Sequence, residues 1–183
     1  MTEIPGYVAG TWAIDPVHSE VGFSVRHMAV SKVKGRFDKF EGTIVTAEDP
    51  LKSTVNVTVD ASSINTNNEQ RDGHIKSADF FEVETHPTWT FEATGIKDEG
   101  GEQHLHGDIT IKGVTKPVVF ALEINGIGPD AYGGTRAGFT ATGEINRRDF
   151  GVDFNGQIPG VSGGLIVSEK VAVTLEIEAV LQA

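Results

Sequence analysis

Cysteine is absent from all 183 residues, which excludes thiol nucleophiles, disulfide staples and thiolate metal sites. Basic residues are scarce: 15 Lys and Arg stand against 26 Asp and Glu, a formal charge of -11. So acidic a chain repels phosphate backbones, so nucleic acid is not an expected partner. No apolar run approaches the ~18 residues of a membrane-spanning helix. The start, Met1-Thr2-Glu3-Ile4-Pro5-Gly6-Tyr7, has neither the basic nor the apolar segment of a secretion signal. These absences predict a soluble, cytoplasmic protein without a membrane span. Internal repeats, low-complexity tracts and linkers are also lacking, and a single domain is expected over residues 11–183 behind an extension at 1–10.

What the chain does have is a two-residue alternation of apolar and polar side chains. Successive strand side chains point to opposite faces, so one parity faces inward. Val17, Val21, Phe23, Val25 and His27 share one face, with Glu20, Ser24 and Arg26 on the other. Val55, Val57 and Val59 repeat the pattern, as do Trp89, Phe91 and Ala93, then Leu105, Ile109 and Ile111. Val118, Phe120, Leu122 and Ile124 follow, and the longest rows run from Ala137 to Ile145 and from Val171 to Ala179. Half-wet strands of this kind belong to antiparallel sheets, because parallel strands read as continuous apolar runs. The 22 glycines, well above the usual ~7%, fit many tight connections.

The spacing predicts strands over 11–15, 17–27 and 40–47, one ending near Ala61, and five more in the second half. Eight of them count as main strands, and 29–37 reads as a less regular piece. A short helix is expected over 67–77, with Asn67 as cap and Gln70 at the reciprocal capping position. Ile75, Phe80 and Phe81 would then cover one mouth of a barrel. A Gly-rich loop is expected over 156–164.

Several motifs carry weaker chemistry. Gly160-Val161-Ser162-Gly163-Gly164 matches the nucleophile elbow of hydrolases, but that motif needs a helix after it and a histidine later in the chain. The last histidine is His106. Asp149-Phe150-Gly151 resembles the magnesium-binding triplet of kinases without its companions, and reads as a turn. His104 and His106 share a strand face, a spacing compatible with a metal, yet their neighbours Glu102 and Asp108 mark that face as solvated. No metal or cofactor is therefore expected. Arg71-Asp72 and Arg147-Arg148-Asp149 read as local salt bridges. His27 falls on the inner parity, where a lone polar group needs a partner; a structural hydrogen bond, a rim position and contact with a ligand headgroup all remain open. Phe23, Phe37, Trp89, Phe91, Phe120 and Phe139 fall on or beside strands. An eight-stranded barrel has an interior that is either filled or holds one small ligand. Gly107, Ala93, Ala137, Ala141 and Gly143 on the same rows would leave part of it open.

An ordered set of motifs resembles the YceI-like family of polyisoprenoid-binding proteins. It comprises Asp15-Pro16-Val17-His18-Ser19, Gly22-Phe23-Ser24-Val25-Arg26-His27, Gly35-Arg36-Phe37, Arg71-Asp72-Gly73-His74-Ile75, His86-Pro87, Gly107-Asp108-Ile109-Thr110-Ile111-Lys112-Gly113 and Asn146-Arg147-Arg148-Asp149-Phe150-Gly151. The resemblance implies an all-β fold, an extended eight-stranded antiparallel lipocalin-like barrel with one or two short helices. It implies non-enzymatic carriage or storage of an isoprenoid lipid, a polyprenyl or prenyl quinone tail, and often a homodimer. Phe23, Val25, Phe37, Trp89, Phe91, Phe120 and Phe139 are the expected tail contacts, with His27 and Arg71 at the headgroup end. Two rival functions stand beside it: a hydrolase or isomerase using His27 as acid or base, and a filled barrel acting as a stress or interaction module.

Overall fold

The computed structural model describes residues 3–155 and 166–183. Among the described residues eleven strands and one α-helix follow one another: β1 (Gly10–Ile14), β2 (Glu20–His27), β3 (Ser31–Phe37), β4 (Phe40–Thr46), β5 (Thr54–Asp60), β6 (Ile64–Asn65), α1 (Glu69–Lys76), β7 (Thr88–Glu99), β8 (Glu102–Ile111), β9 (Val114–Pro129), β10 (Thr135–Asn146) and β11 (Lys170–Leu181). All strand pairings are antiparallel, in the order β1-β4-β5-β7-β8-β9-β10-β11, and β11 returns to β1. These eight strands close the barrel expected from the alternation.

The piece expected to be irregular over 29–37 is instead strand β3, paired with β2 from Val21↔Phe37 to His27↔Ser31. Its alternation is obscured because Lys32, Lys34 and Arg36 face outward while only Val33 and Phe37 supply apolar bulk on the other parity. Strand β11 is shared: Leu181, Val180 and Ala179 pair with β1, whereas Ala172 to Glu176 pair with β2. So β1 and β2 are two halves of one kinked strand. The kink is pinned at Asp15, whose carboxylate accepts from the Val17 amide at 2.9 Å and lies 2.8 Å from both His18 Nδ1 and Arg136 Nη1. Beyond it, β2 runs on along β11 and then residues 166–168, and the β2–β3 hairpin lies at the end of the barrel where α1 lies.

Four apolar clusters line the interior. Trp12, Ile14, Ile44, Ala137 and Ala179 form one at the end away from α1. Ala93, Leu105, Val118, Phe120 and Ala141 form the middle. Two more, around Phe37, Val59 and Ile64 and around Ile111, Phe150 and Val152, meet at Phe81 and Trp89 below α1. Helix α1 begins one residue later than expected. Asn68, not Asn67, is the N-cap and accepts from the Arg71 amide at 2.9 Å. Asn67 has φ +62°, a left-handed conformation that Asn tolerates better than most residues.

Candidate functional site

The aromatic and aliphatic side chains on the inner parity of the barrel enclose a cavity of about 490 Å³ that runs along the barrel. This falls in the size range of small-ligand sites, roughly 300–1,000 Å³. Twelve-residue strands such as β7, β10 and β11 rise ~3.3 Å per residue, which after barrel tilt gives a path of roughly 30 Å. All nine residues expected from the sequence lie on its wall: Phe23, Val25, His27, Phe37, Arg71, Trp89, Phe91, Phe120 and Phe139.

The end away from α1 is stoppered. Ile4, Tyr7, Pro50 and Thr46 line it, and the Tyr7 hydroxyl donates to the Ala47 carbonyl at 2.5 Å. The extension over 1–10 therefore supplies part of the site, a role its sequence does not signal. Under the stopper Trp12 is fully buried, and its indole N–H donates to Thr46 Oγ1 at 2.8 Å. That hydroxyl in turn donates to the Val8 carbonyl at 2.7 Å. A buried polar pair of this kind anchors the segment without exposing a polar atom to the cavity.

The opposite end is the mouth. Phe23, Phe37, Trp89 and Phe81 form a chain of ring contacts, the first tilted and the next two edge to face, with centroid separations of 5.8, 4.7 and 4.6 Å. Such tilted and T-shaped pairs are the favoured aromatic geometry. The Trp89 N–H is out of reach of solvent and has no hydrogen-bond acceptor among the described residues, so it is held against neighbouring rings. Outside this layer His74, Phe80 and Phe154 pack together within 5.1 Å of one another. Phe154 stays 41% exposed, and Arg26, Arg71 and His74 are exposed around it. These residues put polar groups at the rim and leave the wall below it apolar.

Arg71 and Asp72 do not pair with each other as expected. Both converge on buried Thr66: Arg71 Nε donates to its hydroxyl at 2.8 Å and Nη2 to its carbonyl at 2.6 Å, while Asp72 accepts from its amide at 3.0 Å. Neighbours on a helix point in different directions, whereas both can reach the chain that precedes α1. Nor is Arg147 in a local salt bridge. It is buried and donates to the carbonyls of Val152, Ser168 and Val167 at 2.7, 2.9 and 3.2 Å. Burial lowers its pKa from the ordinary arginine value, and the three carbonyls stitch the 152–155 and 166–168 segments to the mouth. Arg148 pairs with Glu169 at 2.9 Å and Asp153 at 3.7 Å rather than with Asp149.

His27 sits half-buried on the rim, and its ring makes no hydrogen bond to the described residues. His104 and His106 lie outside the barrel, partly buried rather than freely solvated. Glu99 from β7 lies 2.7 Å from His104 Nδ1 and 3.8 Å from His106 Nε2, a cross-strand partner that counting along one strand misses. Among the described residues no three His, Asp or Glu side chains are placed to hold a metal ion together. Asp149-Phe150-Gly151 closes a 3₁₀ turn with Gly151 at φ +73°, as a turn reading requires. The Gly-rich loop over 156–164, with the Gly160–Gly164 motif, lies outside the described residues.

The sequence reading of how space arises needs correction. Gly107 and Gly143 open no room, because the rings of Phe91 and Phe120 lie over them. The cavity comes from the circumference of the closed sheet and from Ala141, Val and Ile positions between the aromatics.

Comparison with known proteins agrees with this architecture. A sequence model described as the YceI-like domain matches residues 12–179. Protein YceI of Escherichia coli O157:H7 is 40% identical over 148 residues, 79% of this chain and 78% of that protein. The UPF0312 protein plu2095 of Photorhabdus laumondii is 41% identical over 134 residues, covering 73% of this chain and 70% of its own. Among solved structures, the YCEI protein of Campylobacter jejuni superposes with a TM-score of 0.73 at 28% identity, over 100% of both chains. A polyisoprenoid binding domain from Saccharophagus degradans shares the fold at TM-score 0.71 and 16% identity, over 96% of this chain and 100% of that one. Matched from Trp12 to Ala179 by sequence and along its whole length by fold, this chain belongs to the YceI-like family.

Proposed function

We propose that this protein binds an isoprenoid lipid and carries or stores it, with the tail inside the barrel and the polar end at the α1 mouth. One observation carries the reading: a stoppered, apolar cavity as long as the barrel, open where Arg26, Arg71 and His74 stand exposed. An extended unbranched tail fits that shape, whereas a compact substrate needs neither the length nor the aromatic layers. The shared fold of a polyisoprenoid binding domain supports the same ligand class. Burial of each further methylene contributes about 0.8 kcal/mol, so affinity rises with tail length until the stopper is reached. Phe91, Phe120 and Phe139 grip the tail, and His27 and Arg71 face the headgroup. The polar rim, where His74 pairs with Asp79 at 2.8 Å, serves the headgroup, and the protein acts by binding.

The test is solvent extraction and native mass spectrometry of protein purified from its own host. A co-purifying prenyl lipid, and uptake of prenyl quinones or prenyl phosphates by the emptied protein, are expected. Protein that is consistently empty and takes up neither overturns the proposal.

A further inference from the structure

The charge of this protein is not evenly spread. Residues 21–37 hold four of the 15 Lys and Arg residues, Arg26, Lys32, Lys34 and Arg36, and none of the 26 Asp and Glu residues. That stretch is the β2–β3 hairpin, which stands at the mouth of the cavity and lends it Phe23, Val25, Arg26, His27 and Val33.

Two features of the hairpin are costly for folding. Arg26 stands directly opposite Lys32 in the ladder, and like charges placed so oppose pairing. Among the described residues no carboxylate within 4.0 Å relieves Arg26, Lys32 or Lys34. Nearby acids are engaged elsewhere: Asp38 with Arg36, Asp79 with His74, and Glu169 and Asp153 with Arg148. At the tip, Met28 and Ala29 have φ of +52° and +57°, the paired left-handed geometry of a hairpin turn that Asn and Gly fill with least strain. Met28 is nevertheless 43% and Val30 83% exposed. Neither apolar side chain serves the turn or the core. Lysines on a free edge strand can simply discourage edge pairing, but that accounts for neither Arg26, on an inner strand, nor the apolar tip.

From this juxtaposition we infer that the β2–β3 hairpin is a membrane-docking element, seating Met28 and Val30 in the interface of an anionic lipid bilayer while Arg26, Lys32 and Lys34 meet the lipid headgroups. An apolar tip with flanking cations is the combination that binds such surfaces. The net negative charge of the rest of the molecule repels the same surface and so orients the cavity mouth toward it. The inference rests on the lipid-binding proposal for its purpose, the transfer of a tail between bilayer and barrel, but its test is separate.

The full chain is mixed with phosphatidylcholine vesicles or with equimolar phosphatidylcholine and phosphatidylglycerol vesicles, and flotation is measured. Partitioning into the anionic vesicles and its loss at high salt are expected. Lys32→Glu with Lys34→Glu keeps the edge charged but reverses its sign, and lowers partitioning roughly tenfold or more; Val30→Asp lowers it several-fold. Circular dichroism checks folding, and Lys32→Gln with Lys34→Gln serves if the reversed pair does not fold. Equal partitioning into both vesicles, or variants that bind like the parent, overturns the inference. Uptake of a prenyl quinone from detergent micelles reads the cavity alone: its failure sinks the lipid-binding proposal and leaves the docking result standing.

Discussion

The ring of Phe91 lies across Gly107 of the neighbouring strand, so close that a Cβ added there would stand 2.5 Å from two ring atoms. Phe120 covers Gly143 in the same way, with the nearest ring atom 2.6 Å from a built Cβ, and the two rings meet edge to face at 5.5 Å. Each glycine leaves the space that its neighbour's ring occupies, so neither position adds room to the lumen.

Gly107→Ala is expected to cost about 1–3 kcal/mol, the usual range for overpacking, since the Glu92 carbonyl oxygen also lies 2.6 Å from the added Cβ. Urea denaturation measures the loss. Phe91, pushed off the wall, would also narrow the cavity, so uptake of long tails falls alongside stability. An unchanged midpoint would show that the ring relocates freely.

Ala141 lies in the middle cluster on the cavity wall. Ala141→Phe is expected to block the lumen midway, so that short prenyl chains still bind and long ones lose affinity. A series of tails of increasing length, titrated against parent and variant, reads the difference. A uniform loss at every length would place the tail elsewhere.

Thr46→Val removes the acceptor of the Trp12 indole N–H while keeping side-chain shape. An orphaned buried donor costs about 1–3 kcal/mol. The same hydroxyl holds the Val8 carbonyl, so protease cleavage before residue 10 should accelerate as the stopper loosens, measurable by limited proteolysis.

The His18 imidazole and the Arg136 guanidinium hold the Asp15 carboxyl well below the ordinary carboxylate value of 3.8. A lowered folded-state pKa means that the stabilisation is fully present above the unfolded value and is lost as pH falls through the folded one. Asp15→Asn should therefore destabilise at neutral pH, and its difference from the parent should shrink as pH drops below 3.8. Thermal melts across that window test the direction; a difference that grows on acidification would contradict it.

Asn68→Ala is expected to cost about 1 kcal/mol by removing the cap of α1. Asn67→Gly should be neutral or mildly stabilising, because glycine adopts the left-handed conformation without strain. The reverse ranking in chemical denaturation would restore Asn67 as the cap.

How far the fold could be read from sequence depended on how local the signal was. The parity of Val171 to Ala179 or Ala137 to Ile145 marks a long half-wet strand unaided, and inward residues such as Phe23, Phe91 and Phe120 followed from such counting. Strand β3 escaped because Ser31 and Gly35 leave only Val33 and Phe37 as apolar bulk on its inner parity, and only pairing with β2 explains why it is extended. The capping signal over Asn67 and Asn68 was legible to within one residue, since both side chains can cap and only backbone conformation selects between them.

Thus sequence by itself determined the barrel strands, their wet and dry faces, the acidic surface and the family. Tertiary structure decided what is not local: that Arg71 and Asp72 meet at Thr66 instead of each other, that Tyr7 stoppers one end, that β1 and β2 share one edge of β11, and that Gly107 is a seat for Phe91 rather than a gap. The physical reason is that alternation follows from one chain's own geometry, whereas cavities, plugs and partners arise from side chains brought together only by closure of the sheet.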